Sequence, residues 1–412
     1  MGGALPRALA VIRFRSAVVS LSLLAGLCLA GAVAFAATPA AAPKKDEPNI
    51  SAPHAILIEA ESGSVLFERG ADDLVFPASL AKLMTAEYVF NELKQGRIKP
   101  TDEYPVSENA WRKGGAPSGG STMFAALHSK VPVEDLIKAL IIQSANDACI
   151  VFAEALAGNE PAFAELLTKR ARELGMSRSV FTNSNGLPDP GTKVTARELG
   201  ILARHIISTY PEYYPIYSER DFTWNKIRQQ NRNPLLPMNI GADGLKTGYT
   251  KDAGYNLVGS AVQNGIRLIV VVTGLPSAKE RADEGKKLLE WGFRNFEARM
   301  LFAEGQTIGQ AKVFGGDKGT VALNSGGSVR MMVTKAGTEK LTARIVYNGP
   351  IQAPVKQGQR IGTLKVWRDA NLALEVPLTA AEDIGRGTMS QRAFDAAAEL
   401  MGGLFRAGVE RL

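Results

Sequence analysis

Apolar and polar positions change rhythm several times along the chain. Short apolar runs at 54–59 and 64–68 flank Glu61-Ser62-Gly63 and read as two strands joined by a turn. Pro77 then opens a stretch to about residue 94 in which Leu80, Met84 and Tyr88 recur every four residues beside Leu83 and Phe90. That spacing predicts a helix packed on a core. Residues 112–122 are rich in Gly and Ser and read as a loop. Val133, Leu136, Ile137, Leu140 and Ile141 mark another amphipathic helix, and 147–156, 161–174 and 196–208 also have helical period.

Near residue 241 the period shortens to that of strands. A turn is expected at Ala242-Asp243-Gly244, then a strand at 245–249. Runs at 255–262 and 266–273 flank Gln263-Asn264-Gly265 and predict a hairpin. A helix is expected over 279–296. Strands at both ends of a helical middle imply an α/β (α+β) unit: one antiparallel sheet with inserted helices. Runs at 329–333, 343–347, 361–366 and 373–378, separated by Gly, Asn and Pro turns, predict a separate small all-β domain. From Met389 to the end the period is helical again. Phe394, Leu400, Met401, Leu404, Phe405, Val409 and Leu412 are the apolar positions, and Arg392, Arg406 and Arg411 supply charge. That composition fits a helix lying in a membrane interface; docking on the β domain or on another chain is the alternative.

The N-terminus changes the charge arithmetic. Arg7, Arg13 and Arg15 lead into an uncharged run, 17–34, that ends Ala34-Phe35-Ala36. This order describes a secretory signal peptide cut after Ala36. A retained membrane anchor is the alternative, the run being nearly long enough to span a bilayer. The 412 residues carry 48 Lys and Arg against 41 Asp and Glu, a formal net charge of +7. Removing the leader takes away three Arg and no acid, so the mature charge is +4. It also removes Cys28, leaving Cys149 without an internal disulfide partner. With His54, His128 and His205 as the only histidines, no metal-ligand cluster is apparent and no metal or cofactor is expected. The expected organisation is a signal peptide (1–36), a flexible lead-in (37–50), a catalytic domain (51–300), a β-strand-rich domain (301–384) and a membrane-associating helix (385–412).

Three short motifs carry candidate chemistry. Ser79-Leu-Ala-Lys82 falls at the start of the first long helix. Residues three apart share a helix face, so the Lys82 amine can reach the Ser79 oxygen. Serine needs such a base to become a nucleophile, and a lysine serves once burial and nearby positive charge lower its pKa. Ser144-Ala-Asn146 lies between two helices, where Asn146 could accept from a lysine ammonium and donate to a substrate carbonyl, or merely cap a helix. Ser144 could relay a proton to the leaving group. Lys246-Thr-Gly248 lies on a strand, with Thr247 and Lys246 on opposite sides and Gly248 permitting close approach of a ligand backbone. A substrate peptide could lie along that strand's edge. Singly, S-x-x-K occurs by chance about once in a chain this long. The ordered set, each motif in its expected context, carries the inference.

The three motifs resemble those of serine penicillin-recognising enzymes, and more specifically of the low-molecular-mass penicillin-binding proteins that are D-alanyl-D-alanine carboxypeptidases. Pro77-Ala-Ser-Leu-Ala-Lys-Leu-Met-Thr85, Ile142-Gln-Ser-Ala-Asn-Asp-Ala148, Asn231-Arg-Asn233, Asp243-Gly-Leu-Lys-Thr-Gly248 and Ala253-Gly-Tyr-Asn-Leu257 look like family stretches. The resemblance covers nearly the whole chain. It implies the penicillin-binding/β-lactamase-like transpeptidase fold, with Ser79 as acylated nucleophile and Lys82 as base. Ser144 and Asn146 would aid proton transfer and orientation, and Lys246 would tune the site. Thr247 would bind the terminal carboxylate, with Arg281 as a second contact; a salt-bridged surface arginine is the alternative for Arg281. The backbone N–H groups of Ser79 and Tyr249 would form the oxyanion hole. Arg232 is a further polar candidate. Ala145 departs from the family's usual Gly, Tyr249 from His or Thr, and the loop Gly119-Gly-Ser-Thr122 from a serine pair.

The resemblance thus implies removal of the terminal D-Ala from peptidoglycan stem peptides, penicillin binding, and a role in cell-wall biogenesis and cell shape. The enzyme would work in the periplasm, on the outer face of the cytoplasmic membrane, its C-terminal helix on the membrane surface, without nucleic acid. DD-endopeptidase, β-lactamase and a non-catalytic wall-binding scaffold are the rival readings. The sequence names no partner for the β domain.

Overall fold

Alternate residues of the central strands go to opposite faces of one sheet, and both faces are covered. Ile56, Ile58, Ile269 and Val271 join one apolar core, whereas Ala55, Leu57, Leu268, Val270 and Val272 join another. Burial on both faces explains why these strands read as unbroken apolar runs. The computed structural model describes residues 7–12, 47–337, 339–369 and 371–396.

The sheet has five antiparallel strands in the order Val65–Arg69, His54–Glu59, Ile266–Leu275, Gly254–Gln263, Ala242–Thr250. Two come from the start of the catalytic region and three from its end, as expected. The helix Ala278–Asn295 covers one face and the helix Ala196–Thr209 contributes to the cover of the other. Between the two groups of strands stand the helices Lys82–Lys94, Glu108–Gly114, Val133–Lys138, Asn146–Ala157 and Glu160–Glu173. The strand Ala242–Thr250 is the sheet edge.

Several boundaries differ from expectation. Residues 112–114 end a helix that Ser107 caps by accepting from the Ala110 N–H, so the loop starts later. Ala242-Asp243-Gly244 is no turn; it belongs to the strand, whose register slips between Ala242 and Gly244. The lead-in is anchored at its end. Ile50 is buried, its carbonyl accepts from Arg69 at 2.7 Å, and the Asn49 carbonyl accepts from Lys287 at 2.9 Å.

The helix Ala278–Asn295 passes directly into the strand Phe296–Phe302, which pairs with Val329–Thr334. The division expected at residue 300 therefore falls inside a strand. A second sheet joins Leu341–Asn348, Arg360–Arg368, Asn371–Ala380, Thr320–Asn324 and Gly309–Phe314 around its own core of Ala311, Val321, Leu323, Ile345, Leu364 and Leu378. Arg368 ties the two parts together: its guanidinium donates to the Val65 carbonyl at 3.0 Å and to Met332, and lies over the Phe296 ring at 5.0 Å. Arg7–Ile12, from the expected leader, pairs along Leu341–Asn348 at the edge of this sheet. The uncharged run 17–34 lies outside the described residues. So does 397–412; residues 389–396 are helical, while 385–388 are not.

Candidate active site

Pro77 fixes the entry to a tight turn, Ala78–Ala81, of 3-10 form, and Lys82 opens the α-helix behind it. Ser79 thus sits one turn earlier than a simple helix start. Residues three apart eclipse in a 3-10 turn, which stacks Lys82 on Ser79: the amine donates to Ser79 Oγ at 3.0 Å. Its second acceptor is the Asn185 carbonyl, at 2.6 Å. Lys82 is fully buried, and its pKa falls from the ordinary lysine value to about 8. Burial is the main cause; the Arg232 cation adds to it and Asp147 opposes it.

The turn is held from three sides. Ala78 has φ +48°, a left-handed backbone unusual for alanine. The loop 183–187 closes over it, and a Cβ at Gly186 would stand 1.9 Å from the Ala78 carbonyl oxygen. The Asn256 amide donates to the carbonyls of Phe76 and Pro77 at 3.3 and 3.4 Å. On the third side the strand Ala242–Thr250 presses in: a Cβ at Gly248 would lie 2.8 Å from the Pro77 oxygen and 3.1 Å from Ser79 N. Gly248 therefore admits the protein's own Ser79 turn. The approach expected there was a ligand's.

Ser144 terminates a helix whose last turn, Ala139–Gln143, is widened to π form. It adopts φ +65°, and its buried hydroxyl has no hydrogen-bond partner among the described residues. A strained backbone carrying an unpartnered hydroxyl is typical of functional positions. Asn146 begins the next helix; Ala145 occupies the cap position without a side-chain cap bond, so Asn146 is not a cap. Its side chain meets neither lysine: Lys82 binds Ser79 and Asn185, and Lys246 donates to the Thr247 carbonyl at 3.1 Å.

Lys246 and Thr247 are both buried, at 2% and 6% exposure, so strand alternation does not leave one of them in solvent. The Lys246 pKa is driven well below the lysine range by burial first, then by the charges of Lys82 and Arg232. Arg232 itself donates to Ser121 Oγ at 2.6 Å. Arg281 makes no ion pair among the described residues. Its Nε is buried and unpartnered, and its guanidinium lies 5.7 Å from the Tyr255 ring centre. Tyr249 is 53% exposed and stacks on Tyr255 at 4.1 Å. A cationic, partly desolvated cleft of this kind suits an anionic group.

Two supports escaped the sequence reading. Asp147, fully buried, accepts from Thr122 Oγ1 at 2.6 Å and from the Met123 and Ala148 amides at 3.0 and 3.1 Å. It fixes the loop 121–125 against the Ser144 motif. Burial raises its pKa although these bonds pull the other way. Asn185 and Gly186 gave only the signal of a loop-rich Asn-Ser-Asn-Gly run. The three histidines lie elsewhere: His205 and Tyr210 bond to Glu87, His54 sits beside Asp73, and the His128 amide donates to the Val106 carbonyl at 3.0 Å.

Known proteins match along the whole folded region. Residues 40–277 match the family model described as D-alanyl-D-alanine carboxypeptidase, and residues 296–386 match that of the penicillin-binding protein 5 C-terminal domain. D-alanyl-D-alanine carboxypeptidase DacC of Escherichia coli is 40% identical over 380 residues, covering 91% of this chain and 95% of that protein. DacA of Haemophilus influenzae is 39% identical, covering 87% and 91%. Among solved structures, penicillin-binding protein 5 from Haemophilus influenzae aligns with a TM-score of 0.73 at 40% identity, over 82% of this chain and 99% of that one.

Proposed function

The chain belongs to the D-alanyl-D-alanine carboxypeptidase family, and from that premise we propose how its residues divide the reaction. The protein is a penicillin-binding serine hydrolase of the bacterial cell wall that removes a terminal D-Ala. The neutral Lys82 amine takes the Ser79 hydroxyl proton as Oγ attacks the carbonyl carbon of the penultimate D-Ala. The N–H groups of Ser79 and Tyr249 stabilise the oxyanion. Thr247, with Arg281, holds the terminal carboxylate in the cleft, Arg232 supplies positive potential, and Lys246 tunes the site through its amine's hydrogen bond to the Thr247 carbonyl. As the tetrahedral adduct collapses, the C–N bond breaks and Ser144 relays the proton held by Lys82 to the leaving D-Ala nitrogen, giving up its own hydroxyl proton and taking the lysine's in its place. Asn146 orients the substrate amide. Water then hydrolyses the Ser79 ester and restores the hydroxyl.

The observation that carries this assignment is the 3.0 Å contact from a buried, pKa-depressed lysine to a serine beside a sheet edge. The rival outcomes are not favoured, since the family match continues through the β domain. We further assign the enzyme to the periplasm, held on the outer face of the cytoplasmic membrane by its C-terminal helix. Support comes from the basic, uncharged, small-residue order of the leader and from Met389 and Phe394, 80% and 76% exposed on the described part of that helix.

The test is D-Ala release from a pentapeptide together with labelling by a fluorescent penicillin. Ser79→Ala is expected to abolish labelling and lower turnover at least about 10³-fold. Labelling that survives the substitution would refute the assignment.

A further inference from the structure

A backbone carbonyl can steer a catalytic amine only if its own loop is held still. Asn185 offers that carbonyl, 2.6 Å from Lys82 Nζ. A neutral amine has two N–H bonds and one lone pair. With one N–H fixed on Asn185, the lone pair can face the Ser79 hydroxyl, the geometry that proton transfer requires. The Asn183 side chain bonds within the loop, to the Gly186 N–H at 2.7 Å and the Leu187 carbonyl at 3.1 Å. These bonds shape the loop without tying it to the rest of the molecule. Ser184 supplies the ties. It is fully buried, and its carbonyl accepts from Thr85 Oγ1 at 2.6 Å, one turn along the helix from Lys82. Its hydroxyl donates to Glu160 Oε1, also at 2.6 Å. Glu160 is half-buried and opens the helix Glu160–Glu173, where a carboxylate is favoured. It makes no ion pair among the described residues, although Lys113 lines the same cleft.

We propose that Glu160 is a positioning residue for the reaction: through the Ser184 hydroxyl it holds the Asn185 carbonyl where that carbonyl orients the Lys82 amine. The inference rests on the assignment of Lys82 as base, above. Glu160 touches neither the substrate nor the reacting atoms, and no short motif contains it. It also acts through its charge. Arg232, Asp147 and Glu160 are the charged groups that face Lys82, beside the amine of Lys246, and the Glu160 anion favours the Lys82 ammonium. The two effects can be separated. A glutamine at this position still accepts from Ser184 but carries no charge.

The experiment follows acylation of the full chain by a fluorescent penicillin across pH, with Tm measured on each variant. Glu160→Ala is expected to lower the plateau rate about ten- to a hundredfold, the scale of loss that a small misplacement of a catalytic group produces. Glu160→Gln should recover most of that loss. Its rising limb should move to lower pH, because without the anion Lys82 loses its proton more readily. Ser184→Ala removes the same bond, so adding it to Glu160→Ala should slow the enzyme no further. A structural role alone would lower Tm and leave the plateau and the limb of the folded enzyme where they were. An unimpaired plateau in Glu160→Ala, a glutamine variant as slow as the alanine variant, or losses that add in the double variant would overturn the positioning role while leaving Ser79 and Lys82 in place. Should Glu160→Ala fail to fold, Ser184→Ala decides, and an unimpaired plateau there overturns the proposal. An unsubstituted enzyme that neither takes the label nor releases D-Ala from a pentapeptide would overturn the base assignment and this proposal with it.

Discussion

Lys82 can take a proton from Ser79 only when it is uncharged, and burial makes that state accessible. With a pKa near 8, roughly one lysine in ten is neutral at pH 7. The sign follows directly: protonation below pH 8 removes the base, so acylation by penicillin should rise with pH through a midpoint of about 8 and then level. Arg232 contributes to the depression through its charge, after burial. Arg232→Met should therefore move the rising limb to higher pH, and Arg232→Lys should leave it close to where it was. A limb unmoved by Arg232→Met, measured by stopped-flow labelling, would remove Arg232 from the electrostatics of the base. The Ser79–Lys82 pair was legible in the sequence because it is local, three residues within one turn. The other acceptor of Lys82 was not, because it is a backbone carbonyl 103 residues away, and a backbone atom leaves no residue-type signature.

At the scale of elements, the Ser79 turn depends on what packs on it. The segment 183–187 joins the site through Gly186, whose φ of +76° and near-contact with the Ala78 carbonyl leave no room for a side chain. Gly186→Ala should force that carbonyl, and Ser79 with it, out of position. Overpacking of this kind costs about 1–3 kcal/mol. The expected outcome is a lowered Tm and penicillin labelling reduced by at least tenfold, with the far-UV spectrum retained. Full labelling would show that the turn tolerates displacement. The catalytic sheet was readable from its strands because residues 54–59 and 266–275 are apolar on both faces. The first strands of the β domain were not: Gly309–Phe314 and Thr320–Asn324 are short and Gly-flanked, and Phe296–Phe302 continues without a break from a helix. The Ala242-Asp243-Gly244 run carried turn chemistry, yet it is used as an irregular stretch of strand that Tyr214 and Arg267 pin through the Asp243 carboxylate, at 2.8 and 2.9 Å.

Across the whole molecule the β domain stands between the catalytic part and the tail helix in chain order, and it is joined to the catalytic part by a direct helix-to-strand passage and by Arg368. Met389 and Phe394 are largely exposed, while Asp395 accepts from the Gly315 amide at 2.8 Å and ties the helix to the β domain. Exposed apolar side chains beside basic residues have a favourable place at an anionic lipid surface. Deleting 389–412 should therefore abolish co-sedimentation with vesicles containing phosphatidylglycerol, and D-Ala release from a soluble pentapeptide should be unchanged, because no residue assigned to the reaction lies beyond Arg281. Phe394→Glu in the full chain should weaken sedimentation in the same direction without touching turnover. If the truncated enzyme still sediments, the anchor lies elsewhere in the chain, and the uncharged run at 17–34, retained as a membrane span, becomes the segment that must hold it.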